Sequence, residues 1–267
     1  MAKNLNELID GSIEYLKYVK NYPGYNVLKE SVPEVKEDSL NYSTPSLQSE
    51  DDININITLL KDKPVERDFS YGLIQEEWMS SESIEILNEK ICKCLKCPLG
   101  KTRLNFVFGV GNPNADVVVV GEAPGSEEDK QGKPFVGRAG QLLTDILKAI
   151  NFSRDEVFIC NILKCRPPDN RNPLPEEIFH CEPYLMKQLE LIKPKLILAV
   201  GTFAGQTLLK SKEPLGKMRG KFYDFKIGDL KAKLMVTYHP AALLRNPHWK
   251  KPTWEDVQLF RKEYDKK

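Results

Sequence analysis

The stretch ADVVVVGEAPGSEEDKQGKPFVGRAGQLL, Ala115 to Leu143, decides the fold of this 267-residue chain. Its apolar run Val117–Val120 is β-branched throughout and too short for a helix, which predicts a buried strand. The strand ends in a Gly- and Pro-containing loop, 121–125, where the chain must turn sharply. A second Gly-rich loop, 132–140, opens an apolar-periodic helix that ends near Ile150. In an open α/β sheet, the crevice beyond such strand ends is where ligands bind.

Three later apolar runs also have the character of buried strands, and helical patterns lie between them. The predicted strands are Val157–Leu163, Leu196–Val200 and Leu234–Thr237. The predicted helices start after Ser81–Ser83, run from Leu174 to Ile192, begin at Thr202, and run from Trp254 to Tyr264. Alternation of strand and helix implies right-handed crossovers and a sheet covered on both faces. We therefore predict a three-layer α/β/α fold with a central, mostly parallel four-stranded sheet.

Polar side chains stand at the ends of these strands. Glu122 follows the first strand, Asn161 interrupts the second, and His239 comes just after the fourth, while Phe135 lies in the second Gly-rich loop. An amide within an apolar run costs free energy unless it is hydrogen-bonded. Asn161 therefore either satisfies a neighbouring loop backbone or offers its donor and acceptor to the edge of a base. Position alone leaves both interpretations open.

The segment after His239, PAALLRNP, is predicted to be a short loop bounded by Pro240 and Pro247. It carries two adjacent leucines and an arginine, Leu243, Leu244 and Arg245. The leucines either pack inward or form an exposed apolar wedge beside the arginine. A wedge of that kind is how proteins enter a minor groove and push a base out of the stack.

Four of the six cysteines fall into two spaced pairs. Cys94 and Cys97 form a C-x2-C pair, and Cys165 and Cys181 form a distant C-x15-C pair. Such thiolates can converge on one centre, either zinc or an iron–sulfur cluster, and the spacing does not choose between them. Free buried cysteines are the alternative. The lysines around the first pair count against it, because positive charge favours the thiolate. A fifth cysteine, Cys160, lies in a predicted strand and is expected in the core.

Charge divides the chain into two parts. Residues 1–90 carry 9 Lys and Arg against 18 Asp and Glu, which leaves 30 basic and 20 acidic residues in 91–267. The basic part suits a polyanionic partner such as nucleic acid, although a well-solvated surface has the same composition. We predict an acidic, largely disordered extension over 1–80 with a short N-terminal helix, and one folded domain over 81–267. The extension is also a candidate docking segment for a repair or replication partner.

The start of the chain has early acidic residues and no apolar core with a small-residue cleavage site, so it does not resemble a secretory signal. No apolar run approaches the roughly 18 residues that a membrane helix needs. We therefore expect a cytoplasmic protein with no membrane partner. In that compartment, cysteines favour metal or reactive roles over disulfides.

Four separated motifs resemble the uracil-DNA glycosylase superfamily. They are GEAPG, GKPFVGRAGQLL, CNILKCRPPDNR and YHPAALLRNP, in this order. The spacing of the four paired cysteines is similar to that of the iron–sulfur branch, often called family 4, and the resemblance covers about 92–262. Two sister groups fit less well. One lacks the acidic residue present here as Glu122, and the other inserts an Arg-rich, His-containing loop where this chain has CRPPDNRNP.

The resemblance implies a monomeric enzyme of base excision repair, associated with the nucleoid, that flips uracil out of DNA. It implies a structural [4Fe-4S] cluster on Cys94, Cys97, Cys165 and Cys181. The implied catalytic residues are Glu122, Asn161 and His239. The implied uracil-binding residues are Gly121, Glu122, Ala123, Glu128, Phe135, Asn161 and His239. The implied DNA-binding residues are Leu243, Leu244 and Arg245.

The resemblance also implies a role for each side chain. Phe135 is expected to stack on the base, Asn161 to read its polar edge, and Glu128 to stand near C5, where a thymine methyl would clash. His239 is expected to face the uracil O2, and Glu122 to hold the water or stabilise positive charge at the sugar.

These residue types suit hydrolysis of an N-glycosidic bond, which leaves an anionic base and an oxocarbenium-like sugar. A donor at the leaving group and a carboxylate near the sugar are the useful groups. Deaminated cytosine mispairs, so its extrusion costs less than that of a matched base. No lysine is placed as an obvious Schiff-base nucleophile, which predicts a monofunctional glycosylase without lyase activity. A catalytically silent nucleic-acid-binding module of the same fold and a zinc-ribbon interaction protein are the alternatives.

Overall fold

The computed structural model describes residues 76–266. The predicted N-terminal helix and most of the predicted extension lie outside the described residues. Among the described residues, Trp78 precedes the predicted domain boundary at 81 and packs on the folded domain. The indole of Trp78 is buried and meets the ring of Tyr184 edge-on, with 4.8 Å between the ring centroids.

The described residues form one six-stranded sheet with the order β1-β3-β2-β4-β6-β5. The strands are β1 Val110–Gly111, β2 Val117–Gly121, β3 Phe158–Asn161, β4 Leu196–Val200, β5 Phe222–Ile227 and β6 Leu230–Thr237. The four central strands, β3, β2, β4 and β6, run parallel, which confirms the predicted core of the sheet. The structure adds two antiparallel edge strands, β1 beside β3 and β5 beside β6, that the sequence analysis did not predict.

Nine α-helices and three short 3-10 turns surround this sheet in the described part of the chain. The helices are α1 Ile84–Ile91, α2 Leu99–Thr102, α3 Ser126–Gln131, α4 Arg138–Ala149, α5 Pro175–Ile192, α6 Thr202–Leu209, α7 Leu215–Met218, α8 Pro240–Arg245 and α9 Lys250–Tyr264. The 3-10 turns are Glu77–Ser80, Pro168–Asn170 and Pro247–Trp249. The helices predicted around Ile84, Leu174, Thr202 and Trp254 are therefore confirmed.

Alternate side chains of each central strand enter two separate cores. In β2, Val118 and Val120 join the core packed by α1, α5 and α6, whereas Val117 and Val119 join the core packed by α4 and α9. Successive residues of a strand point to opposite faces, so a strand that is apolar throughout must be covered on both sides. The predicted three-layer α/β/α architecture is thereby confirmed.

Four helices were not predicted, namely the four-residue α2 and α7, and also α3 and α8. The segment PAALLRNP, predicted to be a loop, contains helix α8, which begins at Pro240 with the His239 side chain as its N-cap. Proline is favoured in the first turn of a helix because its missing N–H would have no partner there. Helix α3 was not predicted because its sequence, SEEDKQ, has no apolar period. Asp129, its one buried residue, instead accepts hydrogen bonds from the backbone N–H groups of Leu104 and Asn105, at 2.9 and 3.2 Å.

None of the helices in the described range 76–266 combines the length and the apolar character needed to cross a bilayer.

Candidate active site and cysteine centre

A cavity of about 760 Å³ opens at the carboxyl edge of the parallel strands. Glu122 follows β2, Asn161 ends β3, Gly201 follows β4, and His239 lies two residues beyond β6. All four line the cavity. Parallel strands bring their carboxyl ends to one edge, so residues distant in the chain meet there. The structure thus joins the three polar residues that the sequence predicted for a site, together with Ala123, Glu128 and Phe135.

The side chain of Asn161 presents an incomplete amide edge, one that lacks a hydrogen-bond partner. Its side chain is only 2% exposed, and its Oδ1 is buried without a hydrogen-bond partner in the described structure. Gly121 pairs with Asn161 across β2 and β3, and a Cβ on Gly121 would lie 2.3 Å from that Oδ1 and 2.6 Å from the Phe135 ring. Only glycine fits between them. A buried acceptor without a partner costs free energy, so this geometry favours a ligand that supplies a donor.

Phe135 is held in an uncommon conformation, with φ at +52°. Glu128 fixes the loop: its Oε1 accepts hydrogen bonds from the N–H groups of Val136 and Gly137, at 2.9 and 3.0 Å. A Cβ at Gly140 would lie 1.9 Å from the Phe135 carbonyl oxygen, so helix α4 can approach this loop only with glycine there. Strained backbone held in this way is typical of sites that pre-organise a ligand.

His239 is a neutral imidazole at physiological pH. Burial, reinforced by the positive charge of Arg245, lowers the pKa of His239 to about 4. Its Nδ1 accepts a hydrogen bond from the Ala241 N–H at 3.2 Å, so the proton of the neutral ring resides on Nε2. The Phe135 and His239 rings lie 5.5 Å apart between centroids, inclined by 31°. The cavity therefore contains a fixed N–H donor beside an apolar ring.

The pKa of Glu122 shifts in the opposite direction from that of His239. Burial raises the pKa of Glu122 to about 7, and the positive charge of Arg245 limits that rise. A carboxyl group with a pKa near 7 exchanges its proton in the working range of most enzymes, which is a common property of catalytic acids and bases.

The three residues of the predicted wedge fall in different places on α8. Leu243 is only 1% exposed and packs inward, whereas Leu244 is 40% exposed. Arg245 is exposed and lines the cavity. The sequence left open whether the leucines pack inward or are exposed, and the structure has one of each, because a helix turns adjacent residues by about 100°.

The four paired cysteines converge next to the first core. Cys165 and Cys181 are buried, and Cys94 and Cys97 pack against the same cluster. Burial raises the pKa of the Cys165 and Cys181 thiols, and the neighbouring cysteines raise both further, because like charges repel. Within residues 76–266, no group of three or more His, Cys, Asp or Glu side chains has the arrangement of a metal-ion site.

Hydrogen bonds reach three of these four sulfurs. The Arg103 guanidinium donates to Cys165 Sγ at 3.0 Å, the Tyr184 hydroxyl to Cys94 Sγ at 3.3 Å, and the Lys164 N–H to Cys181 Sγ at 3.2 Å. Arg103 also donates to the Cys94 and Cys92 carbonyl oxygens, at 2.9 and 2.8 Å, which ties the C-x2-C loop together. Donors around sulfur are the surroundings that thiolate-bound clusters have in proteins. The chemistry of these surroundings suits thiolates, whereas the positions of the four sulfurs are not those of a site for a single metal ion.

Several cavity residues were missed by the sequence analysis. They include Gly201, whose φ is +98° and which packs against the His239 side chain, and the aromatic pair Tyr238 and Trp249. A signal for Trp249 was present in the sequence, since PHWKK places an aromatic ring in a basic, proline-bounded segment. A glycine directly after a buried strand was the signal for Gly201.

The fold and cavity define an α/β protein with an open cavity where its parallel strands end. Residues 108–258 match the family model described as the uracil DNA glycosylase superfamily. The Type-4 uracil-DNA glycosylase of Archaeoglobus fulgidus is 46% identical over 170 residues, 62% of this chain and 85% of that protein. The Type-4 enzyme of Thermotoga maritima is 46% identical over 166 residues, 62% and 85% of the two chains.

The Type-4 uracil-DNA glycosylase of Pyrobaculum aerophilum is 44% identical over 181 residues, 66% of this chain and 92% of that protein. The family model covers more than half of the chain, and the chain covers most of each relative. This chain belongs to the uracil DNA glycosylase superfamily.

Proposed function

We propose that this protein is a monofunctional uracil-DNA glycosylase, which hydrolyses the N-glycosidic bond of uracil in DNA and leaves an abasic site. The observation that carries the proposal is the incomplete amide edge of Asn161 between Gly121 and Phe135 in the cavity. Relatives that are 43–46% identical and bear the name Type-4 uracil-DNA glycosylase support it.

Recognition follows from this geometry. The uracil ring lies against Phe135, its N3–H donates to the orphaned Oδ1 of Asn161, and its O4 accepts from the Asn161 amide N–H. A site with a buried acceptor that only the ligand can satisfy rejects a base without a matching donor, because the acceptor would then stay without a hydrogen bond. Cytosine has no N3–H, so it would leave Oδ1 without a partner.

Thymine is excluded by Glu128. Because two backbone N–H groups hold its Oε1, this carboxylate is a rigid wall of the cavity. A methyl group on C5 of the base would have to displace it or the loop that carries Phe135.

The bond breaks with assistance at both of its ends. The neutral His239 donates its Nε2–H to the uracil O2 as negative charge develops there, which stabilises the departing base without a prior change of protonation. Glu122, when ionised, stabilises positive charge on the sugar and orients the attacking water. The water oxygen bonds to C1′ as the C1′–N1 bond breaks; the ionised Glu122 accepts one water proton, and uracil leaves as an anion that takes up a proton from solvent.

Base extrusion is assigned to Leu244 and Arg245, the exposed end of helix α8. An apolar side chain that takes the place of the flipped base offsets part of the unstacking free energy, and the arginine attracts the phosphates. The absence of lyase activity is supported by the burial of Lys164, which is 0% exposed and does not line the cavity. Its Nζ donates to the Asn161 carbonyl oxygen at 2.8 Å and to Gln188 Oε1 at 2.5 Å.

We also propose that Cys94, Cys97, Cys165 and Cys181 ligate a [4Fe-4S] cluster with a structural role. Four converging thiols with hydrogen-bond donors at three of the sulfurs support it. When bound, the cluster would offset part of the thiolate charge and hold distant chain segments together. Iron and acid-labile sulfide at about four atoms each per chain would support it. Zinc in a colourless preparation would overturn it.

The deciding experiment measures free uracil released from a single-uracil oligonucleotide by anaerobically purified protein, with matched thymine DNA as the control. We expect release from the uracil strand alone, and loss of release in Asn161→Asp and His239→Leu variants that keep the wild-type melting temperature. Folded protein that binds uracil DNA without releasing the base would overturn the proposal and favour a silent binding module. A monomeric state, nucleoid association in the cytoplasm and partner docking through residues 1–80 remain predictions.

A further inference from the structure

The cavity contains a second aromatic surface, away from Phe135. The rings of Tyr238 and Trp249 are stacked, with 5.0 Å between centroids and 12° between planes. The Arg219 guanidinium lies over the Tyr238 ring, 5.4 Å from its centroid. The three side chains form one ladder, which we call the Trp249 ladder, and both of its aromatic rings line the cavity.

The buried end of the Trp249 ladder is anchored. Asp256, only 2% exposed, accepts hydrogen bonds from Arg219 Nε at 3.0 Å and Nη2 at 2.6 Å, and from the Thr237 hydroxyl at 2.6 Å. The guanidinium plane is therefore fixed, and the tyrosine ring that stacks on it is fixed in turn. A stack held at one end pays little conformational entropy when another ring is added.

The other end of the ladder is open. Trp249 is 37% exposed, although its backbone is fixed by the 3-10 turn 247–249. The backbone N–H of Trp249 donates to the Asn246 carbonyl oxygen at 3.2 Å, and its backbone carbonyl oxygen accepts from the Thr253 hydroxyl at 2.7 Å. The exposed part of this indole offers a platform for a further planar group.

Charge around the platform indicates what that group belongs to. Exposed basic side chains surround it on both sides in the chain, namely Arg245, Lys250 and Lys251. A cavity of about 760 Å³ also exceeds the space that one pyrimidine needs. Aromatic rings in a basic groove are how proteins bind successive nucleobases of one strand.

We propose that the exposed face of Trp249 binds the nucleobase next to uracil in the same DNA strand, by stacking. This inference rests on the proposed function for the identity of the base in the neighbouring slot. The ladder would hold the flanking nucleotide while uracil lies against Phe135. The flanking base is recognised by its π-face, so the subsite is tolerant of its identity.

The test uses single-stranded oligonucleotides with one uracil, in which the 5′ or the 3′ neighbour is replaced by a base-free tetrahydrofuran nucleotide. Binding is measured by fluorescence anisotropy, and uracil release is measured separately. For the wild-type protein, we expect removal of one of the two neighbouring bases to weaken binding by roughly tenfold. Trp249→Ala should weaken binding of the unmodified strand by about the same factor and show no further loss with the base-free neighbour.

Two controls separate stacking from a general effect. Trp249→Phe keeps a ring and should keep most of the affinity, whereas Trp254→Ala removes an equally exposed indole that does not line the cavity and should behave as wild type. The proposal is overturned if Trp249→Ala binds like wild type, or if it stays as sensitive as wild type to the base-free neighbour. A wild-type protein that binds these strands and releases no uracil would instead refute the glycosylase activity. The binding comparison would still decide whether Trp249 stacks on the flanking base.

Discussion

At the scale of single residues, the charge of Glu122 determines the pH range in which the cavity carries an anion. The pKa of Glu122 is raised to about 7, so the group is mostly neutral at pH 6 and mostly ionised at pH 8. If the carboxylate assists catalysis, the single-turnover rate of uracil release should rise about tenfold per pH unit below 7 and level off above it. His239 has a pKa of about 4, so it stays neutral throughout this range. The fall in rate below pH 7, which is the acidic limb of the profile, is therefore expected from Glu122 and not from His239.

Two variants check this assignment. Glu122→Gln should be slower by roughly 10²- to 10⁴-fold and should lack the acidic limb. Arg245→Met should move the limb to higher pH, because the arginine charge lowers the pKa of Glu122. An acidic limb that persists unchanged in Glu122→Gln would assign the titration to another group.

Gly121 makes the second prediction at this scale. A methyl group there would meet Asn161 Oδ1 at 2.3 Å and the Phe135 ring at 2.6 Å, so both base-contacting side chains must shift. We expect Gly121→Ala to lower kcat/KM for uracil release by about 10²-fold or more, since misplacement by about 1 Å costs that much. Gly216→Ala is the matched control, because Gly216 also lines the cavity but its Cβ would meet nothing within 4 Å. Equal activity of the two variants would contradict the proposed tight slot.

At the scale of elements, one buried carboxylate docks helix α9 against the sheet. Asp256 on α9 binds Arg219, which precedes β5, and Thr237 at the end of β6. Burial raises the pKa of Asp256 despite these partners. The ion pair therefore offsets little of the free energy that it costs to remove the carboxylate from water. Removing one member is still expensive, because it leaves the other partly buried and unpaired.

We therefore expect Asp256→Ala to lower the free energy of unfolding by about 3 kcal/mol, measured by urea denaturation. The double variant Arg219→Met, Asp256→Leu should lose clearly less than the sum of the two single variants, since it leaves no unpaired charge. Additive losses would show that the two groups contribute independently.

The two edge strands and helix α8 were not predicted, for different reasons. Strand β5 alternates exposed and buried residues at the sheet edge, and β1 has only two residues, so neither has the continuous apolar run that marks a central parallel strand. Helix α8 was predicted to be a loop because two prolines bound it. The helix nevertheless forms, since Pro240 occupies its first turn and His239 supplies the cap.

At the scale of the whole molecule, the cysteine centre connects chain segments that are remote in sequence. Of its four proposed ligands, Cys94 and Cys97 lie in the loop after α1, Cys165 follows β3, and Cys181 lies in α5. We expect Cys97→Ala to lose iron and to lower Tm by at least about 5 °C, which corresponds to about 2 kcal/mol for a domain of this size. Cys92→Ala is the control, because this half-buried cysteine lies outside the four and its thiol donates to the Glu89 carbonyl oxygen, at 3.4 Å. Equal iron content and Tm in both variants would contradict the proposed ligand set.

The sequence by itself determined the central sheet and the positions of Glu122, Asn161 and His239. Buried parallel strands need continuous β-branched runs, and polar residues at the ends of such runs must meet at one edge. Only the tertiary structure decided that Leu244 and not Leu243 is exposed, that His239 is neutral while Glu122 titrates near pH 7, and that Arg219, Tyr238 and Trp249 stack. These properties depend on burial and on charges or rings contributed by distant segments. Local periodicity records which face of an element is apolar, but not which neighbours that face will meet.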